Sequence, residues 1–450
     1  LLNVDSQEGI IMPLQRSFAA RLPFFYGWVV IAVAFVTMGI GVNARTAFSL
    51  LYPPILEEFG WGYGGTAAIF SIGFFVSTVA TPVIGILMGR YGPRIIIPIG
   101  ALMVAAGLLL ATWAFALWHF YLTLGFLVIG GSIFISYIGH SMFLANWFHR
   151  KRGFAVGVAF SGVGVGGVVL FLWIQSIITS VGWRVSCWAI AGLLVAIVVP
   201  LNLIFQRQRP QDLGLMPDGE VGTAKSDGTE LEVNTIIDKE WVETEWTVRR
   251  ALCTPRFWWL ALTLGTGLFA WYTVQVHQSQ YLGQLGFGKE QVALALGVVV
   301  MSGIVGQIFL GHLSDRIGRE LVWTISLSGY VLCYVILLVM ASQPSVLLMY
   351  AMAAAQGALG YGLASLYGSM PADLFQGPRF AAILGVASIA ANLGAGVGPW
   401  VAGVIFDLSD SYNTAWWLAI AVSCTSIAAV WLAAPRKVRC VPGQAARRAS

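Results

Sequence analysis

Long apolar runs alternate with short polar breaks along the whole chain. A membrane-spanning helix needs about 20 mostly apolar residues. Twelve runs meet that length, at approximately 25–49, 64–88, 95–115, 119–145, 154–178, 183–205, 256–282, 290–311, 321–341, 345–370, 380–406 and 413–434. Six precede the polar stretch Arg207–Cys253 and six follow it. The pattern predicts an all-α membrane protein of twelve transmembrane helices. Residues 1–206 form one six-helix bundle, 207–253 a linker, and 254–450 a second bundle with a tail.

Composition removes the main rivals. The 450 residues are 58% hydrophobic and 10% charged, whereas a soluble domain carries about 25% charged residues. The net charge of +5 resides in the loops and calls for no nucleic acid. The five cysteines are scattered without pairs or metal spacing, so neither a disulfide framework nor a metal site is expected. The run Gly162–Gly167, GVGVGG, imitates a dinucleotide loop, but it lies inside an apolar helix with no strand before it. No nucleophile and base pair up, so no enzyme and no cofactor is expected.

Charge also sets the topology. With the first segment inside, 22 of the 25 Lys and Arg residues fall on one side, and only Arg45, Arg184 and Lys289 on the other. That imbalance predicts both termini in the cytoplasm of a cell (inner) membrane protein. Asp5, Glu8, Arg16 and Arg21 interrupt the start of the chain, so no cleavable signal is expected, and Met12 is an alternative start that intact mass would decide. From Arg207 to Arg250 the linker holds six basic and ten acidic residues; its first part is expected to be mobile. Trp246–Leu252 reads as a short amphipathic helix capped by Thr247.

One polar break is duplicated. Gly311–Glu320 reads GHLSDRIGRE, and 226 residues earlier Gly85–Arg94 reads GILMGRYGPR. Both contain G-x-L-x-x-R-x-G between the second and third runs of their half. The glycines permit a tight turn, and Asp315 can cap a neighbouring helix start. This resembles the loop signature of the major facilitator superfamily at Gly311, Asp315, Arg316, Gly318 and Arg319, and in the first copy at Gly85 and Arg90. The first copy departs from it, because Gly89 stands where the family usually has Asp. The resemblance implies two pseudo-symmetric bundles that expose a central site alternately to either side.

A narrower resemblance lies at Trp147–Gly166, WFHRKRGFAVGVAFSGVGVG. It is similar to the signature opening the fifth helix of the monocarboxylate transporter family, at Trp147, Phe148, Arg150 to Arg152, Ala155, Gly157, Ala159 and Gly162. The segment Phe48–Trp61 also resembles the bacterial branch that includes oxalate–formate exchangers. The animal carriers have an Asp and an Arg in the eighth helix; Gly303 and Gln307 stand there here, so that pair is not carried over.

Charges within a bilayer cost about 2.5–3.5 kcal/mol each on insertion scales and mark function. No acid lies mid-span; Asp373, at the end of the tenth run, is nearest. Arg45 is the leading candidate, since a guanidinium can hold a carboxylate by two hydrogen bonds; the alternative is snorkelling to headgroups. Ser132, Ser136 and His140 recur every four residues as a polar stripe beside Tyr137. His140 could donate to an anion or carry a proton, or simply bond a backbone carbonyl. In the seventh run His277 and Tyr281 share one face and Gln275 and Gln278 another; the first face is favoured, with an interfacial belt as its rival. Tyr361 and Asn392 complete the set, and Gln307 reads as a contact between helices.

The expected function is a secondary active or facilitative transporter of a small mono- or dicarboxylate, an antiporter or symporter working as a monomer among membrane lipids. Protons or a counter-anion are the candidate coupled species, with exchange or facilitated uptake favoured because no buried acid offers a relay. A carrier of neutral or lipophilic compounds is the alternative. A non-transporting receptor comes last, for want of a signalling domain.

Overall fold

The computed structural model describes residues 23–61, 63–219 and 235–449. The candidate start Met12 and linker residues 220–234 lie outside them. Among the described residues, twelve helices are long and apolar enough to cross a membrane. They are α1 (Gly27–Phe59), α2 (Tyr63–Tyr91), α3 (Pro93–Ala111), α4 (Leu117–Leu144), α5 (Arg152–Val181) and α6 (Trp183–Phe205) before the linker. After it come α7 (Pro255–Gln284), α8 (Lys289–Ile317), α9 (Arg319–Met340), α10 (Val346–Phe375), α11 (Phe380–Ser409) and α12 (Asn413–Ala433).

Glycines let helices touch within each half. A Cβ at Gly166 on α5 would strike Gly39 of α1, and one at Gly394 on α11 would strike Gly265 of α7. Gly39 and Gly265 are 226 residues apart, the offset of the duplicated loop. Close backbone approach at small residues is how helices associate where lipid removes the hydrophobic drive.

Among the described residues, the halves meet most extensively along two seams, α5 against α8 and α2 against α11, with α10 also touching α5 and α4. Both seams are tight on the face that carries the linker. Gly153 abuts Gly311, Gly157 abuts Gln307, and Gly85 abuts Ala381. No comparable seam joins α1 to α7 among the described residues. The structure is therefore sealed on the linker face.

Three helices differ from the expected runs. The apolar run of the first was expected to stop near residue 49. Instead helix resumes at Phe48 and runs to Phe59, ending on left-handed Gly60 with φ 63°. Glu58 accepts both Arg184 guanidinium nitrogens at 2.7 Å and the Trp183 indole N–H at 2.8 Å, tying that extension to α6. Helix α4 passes through wide turns at Tyr121–Gly130 and tight ones at Gly131–Ile135, then breaks at Ser136 before restarting at Tyr137. Helix α10 widens at Ala355–Gly360 and restarts at Gly362 after Tyr361. The two irregular stretches lie at corresponding places in the halves, but only α4 leaves the helical backbone: Ser136 is extended (ψ -180°), whereas Tyr361 stays helical (φ -66°, ψ -11°).

On the linker face, Thr247 accepts the Arg250 N–H at 3.2 Å and starts a single turn, Val248–Leu252. The end of the linker also pairs with the tail. Ile236 and Arg439 form an antiparallel bridge, the Ile237 N–H donates to the Val438 carbonyl at 3.0 Å, and the Cys440 N–H donates to the Thr235 carbonyl at 2.8 Å. Beyond it, Gln444 donates to the Ile317 carbonyl at the end of α8, at 2.8 Å.

Candidate functional site

The irregular stretches of α4 and α10 border a central cavity between the halves. Arg45 from α1, Phe74 and Ser77 from α2 and Ser136, Tyr137 and Ile138 from α4 line one side. Trp271 and Tyr272 from α7, Leu363, Ala364 and Tyr367 from α10 and Asn392 from α11 line the other. Its volume is about 70 Å³. A single buried water needs about 10–15 Å³ on the same scale, so the space suits a small molecule of a few heavy atoms.

Among the described residues, Arg45 is the one charged side chain of the lining. Its carbon Cζ lies 5.5 Å from the Phe74 ring centre. Its Nε is buried without a hydrogen-bond partner. A buried guanidinium donor without an acceptor carries a desolvation cost of about 1–3 kcal/mol or more, which a carboxylate would relieve. The hydroxyls of Tyr137 and Tyr272 make no hydrogen bond within the described residues. The break at Ser136 also turns the first residues of the restarted helix, Tyr137 and Ile138, to the cavity, and a helix start carries partial positive charge.

The remaining polar groups are committed to the scaffold. Asn392 donates to the Thr81 hydroxyl at 2.9 Å, linking α11 to α2 across the cavity floor. Tyr367 donates to Ser388 at 2.8 Å. Tyr361 stands beside the lining, 4.5 Å from the Trp271 ring, with its hydroxyl 3.3 Å from the Gln275 side-chain oxygen.

The stripe expected from Ser132, Ser136 and His140 does not form, because α4 is not continuous there. Only Ser136 lines the cavity; Ser132 bonds the Ile129 carbonyl at 2.6 Å. His140 is fully buried one turn beyond, with Nδ1 3.0 Å from the Ser136 carbonyl and Nε2 without a partner. His277 and Tyr281 lie away from the cavity. His277 meets the Tyr412 hydroxyl at 3.1 Å and the Pro399 carbonyl at 2.8 Å, and Tyr281 donates to the Leu337 carbonyl at 2.9 Å. The opposite face of α7, with Trp271, Tyr272 and Gln275, is the one turned to the interior. Gln307 is buried at the α5–α8 seam, where its carbonyl accepts Ser365 at 2.6 Å. Sequence reasoning missed Ser77 and the lining aromatics Phe74, Trp271 and Trp323, the last from α9, since such aromatics look like core in a chain this apolar. The glycines at 130, 131, 357, 360 and 362, clustered around both irregular stretches, were the available signal.

A second constellation lies beneath the cavity on the linker face. Asp315, at the end of α8, accepts the Gly153 and Phe154 N–H groups that open α5, at 2.9 and 3.0 Å. Arg319 donates to Asp315 at 2.7 Å and to Asp373 at 2.9 Å. Arg152 donates to the other oxygen of Asp373 at 2.5 Å. All four are at least nine-tenths buried. Arg152 belongs to the first half and its three partners to the second, so the network fastens one half to the other. Gly318, at φ 113°, makes the turn between Asp315 and Arg319. Arg316 and Arg90 remain exposed, Arg90 lying 5.2 Å from the Tyr91 ring.

The model of the Major Facilitator Superfamily matches residues 27–365 and 279–449. Monocarboxylate transporter 13 of Bos taurus is 26% identical over 400 residues, 88% of this chain and 86% of its own length. Monocarboxylate transporter 2 of Homo sapiens is 24% identical over 418 residues, 90% of this chain and 84% of its own. Among solved structures, the proton:xylose symporter XylE superposes with a TM-score of 0.70 at 13% identity, covering 90% of this chain and 95% of its own. The human organic anion transporter MFSD10 gives 0.67 at 14%, covering 91% and 100%.

Proposed function

The chain belongs to the Major Facilitator Superfamily, and we propose that it carries a small organic anion, a mono- or dicarboxylate, across a membrane by alternating access. The observation that supports this most is the Arg45 guanidinium at the edge of a small central cavity, with its buried Nε lacking a hydrogen-bond partner. In this reading Arg45 holds the carboxylate by two hydrogen bonds. The hydroxyls of Tyr137 and Tyr272 and the start of the restarted α4 segment complete the anion's shell. Phe74 and Trp271 cover its apolar part. The state sealed on the linker face receives substrate from the opposite side. Neutralising Arg45 lowers the cost of bringing the halves together over the site, and the α5–α8 network must then open to release substrate. The clustering of Lys and Arg on the linker face supports a cytoplasmic placement of that face. The kinship with monocarboxylate transporters supports the substrate class.

The predominantly aromatic and aliphatic lining favours a second reading, a carrier of neutral or lipophilic compounds. Thermal unfolding of the purified protein against small carboxylates and their amides separates the two. A ligand at 100 times its Kd stabilises by about 2.7 kcal/mol. Under the anion reading carboxylates raise the transition, amides do not, and Arg45→Gln abolishes the difference. Stabilisation by neutral compounds alone, unchanged in Arg45→Gln, would reject it.

A further inference from the structure

Outside the transport path, the α5–α8 seam carries a groove of about 560 Å³ on its lipid-facing side. Ile304, Val305, Ile308 and Phe309 of α8 and Phe154 of α5 form its walls, and Lys151 and His312, the polar members of the lining, come from its linker-face end. Val305 and Phe309 are 64% and 60% exposed. Among the described residues, Lys151 is exposed and forms no ion pair, and neither ring nitrogen of His312 has a hydrogen-bond partner. The His312 ring meets Phe154 edge-on at 5.7 Å. From His312 to Ile304 is eight residues, about 12 Å along a helix, close to the roughly 15 Å of one leaflet's hydrocarbon. Polar groups are confined to the end where headgroups lie.

We propose that this groove binds an anionic phospholipid of the linker-face leaflet, with an acyl chain along Ile304–Phe309 and its phosphate between Lys151 and His312. Charge complementarity selects the headgroup: an unpaired lysine at headgroup depth attracts anionic lipid. The groove also reports on the gate. The Phe154 side chain walls it while the Phe154 N–H donates to Asp315 at 3.0 Å. Its two walls come from different halves, so it exists only while the α5–α8 seam is closed. A ligand that binds one state alone shifts the population toward that state. The lipid thereby holds the linker face shut, whatever the carried substrate is.

The test uses the full chain without transported substrate, in nanodiscs of phosphatidylcholine with or without phosphatidylglycerol. Spin labels at Ser49→Cys and Ser279→Cys, both exposed positions, with Cys253→Ser and Cys424→Ser, read the separation of α1 and α7 in their halves away from the linker face. Native mass spectrometry reads retained lipid. Phosphatidylglycerol is expected to be retained and to enlarge the long-distance population. Lys151→Gln should weaken its retention roughly fivefold, and Lys151→Gln with His312→Gln should remove the shift. Val305→Trp, which fills the groove but keeps both headgroup partners, should remove it too. Thermal transitions in phosphatidylcholine alone, equal to that of the native protein, certify folding. The proposal is overturned if the native protein shows no phosphatidylglycerol effect or if either variant keeps the full effect. Soluble glycerol 3-phosphate reproducing the shift would likewise overturn it, as phosphate alone would then suffice.

Discussion

The two seams that close the linker face are built on one plan and fastened differently. At α5–α8, the glycine contact of Gly153 with Gly311 is reinforced by the Asp315 caps and by Asp373 gripped between Arg152 and Arg319. At α2–α11, Gly85 packs on Ala381 with equal closeness. Yet Gly89 stands at the position of Asp315, and Pro93 at that of Arg319. The start of α11 has no side-chain cap from its own N-cap residue, Arg379. Nearer the cavity, the α2–α11 seam has one polar tie among the described residues, from Asn392 to Thr81. Shape complementarity is thus duplicated, whereas charge is concentrated in one seam. That asymmetry concentrates the charged fastening in α5–α8 and leaves α2–α11 held mainly by packing.

The largest expected effect comes from Asp373→Asn. It leaves Arg152 and Arg319 buried side by side without their shared carboxylate. Breaking a buried pair costs about 3–5 kcal/mol. The expected outcome is a lower thermal transition and a linker face that labels readily at cysteines placed along α5. Unchanged labelling would show that the seam is held by packing alone.

Gly85→Ala and Gly311→Ala form a matched pair that sharpens the comparison. Each drives a methyl group into the carbonyl of the facing helix, Ala381 or Gly153, at a cost of about 1–3 kcal/mol. The charged seam should resist better, so Gly85→Ala is expected to open the linker face further than Gly311→Ala. Distances measured across that face by paired labels would rank them.

The smallest effect runs the other way. A Cβ at Gly89 meets nothing closer than Ala381 Cβ at 3.9 Å, so Gly89→Asp fits. A carboxylate there would sit near the opening residues of α11, as Asp315 sits at α5. Capping contributes about 0.5–2 kcal/mol. The variant should favour the sealed state and slow turnover, read as reduced labelling and reduced exchange in vesicles. Faster turnover with unchanged labelling would count against a latch role for this position.

The sequence carried the twelve helices because each is an uninterrupted apolar run, and the duplicated loop exposed the repeat. It carried Asp315 as a helix cap because a short carboxylate beside a glycine turn has few other uses. It did not carry the Arg152–Asp373 pair, whose partners are 221 residues apart and obey no periodicity. The cavity was half legible. Arg45, Tyr137 and Asn392 stand out as polar residues in an apolar setting, and all three line it. His277 and Tyr281 stood out equally, but spacing along a helix says which residues share a face, not which way that face points. Trp271 and Tyr272 turn α7 inward, while His277 is drawn to Tyr412 and Pro399. The break in α4 and the wide turns of α10 are marked in the sequence only by their glycines, because the other residues there are as apolar as continuous helix.

The pairing of linker and tail determines how force enters the second half. Residues 235–238 are stitched to 438–440 by backbone hydrogen bonds, so the incoming and outgoing ends of that bundle share one knot. A tug on the linker is loaded in shear across this knot and reaches the end of α12 as well as the start of α7. Cutting the tail ahead of Val438 would remove the second attachment and leave the linker coupled to the start of α7 alone.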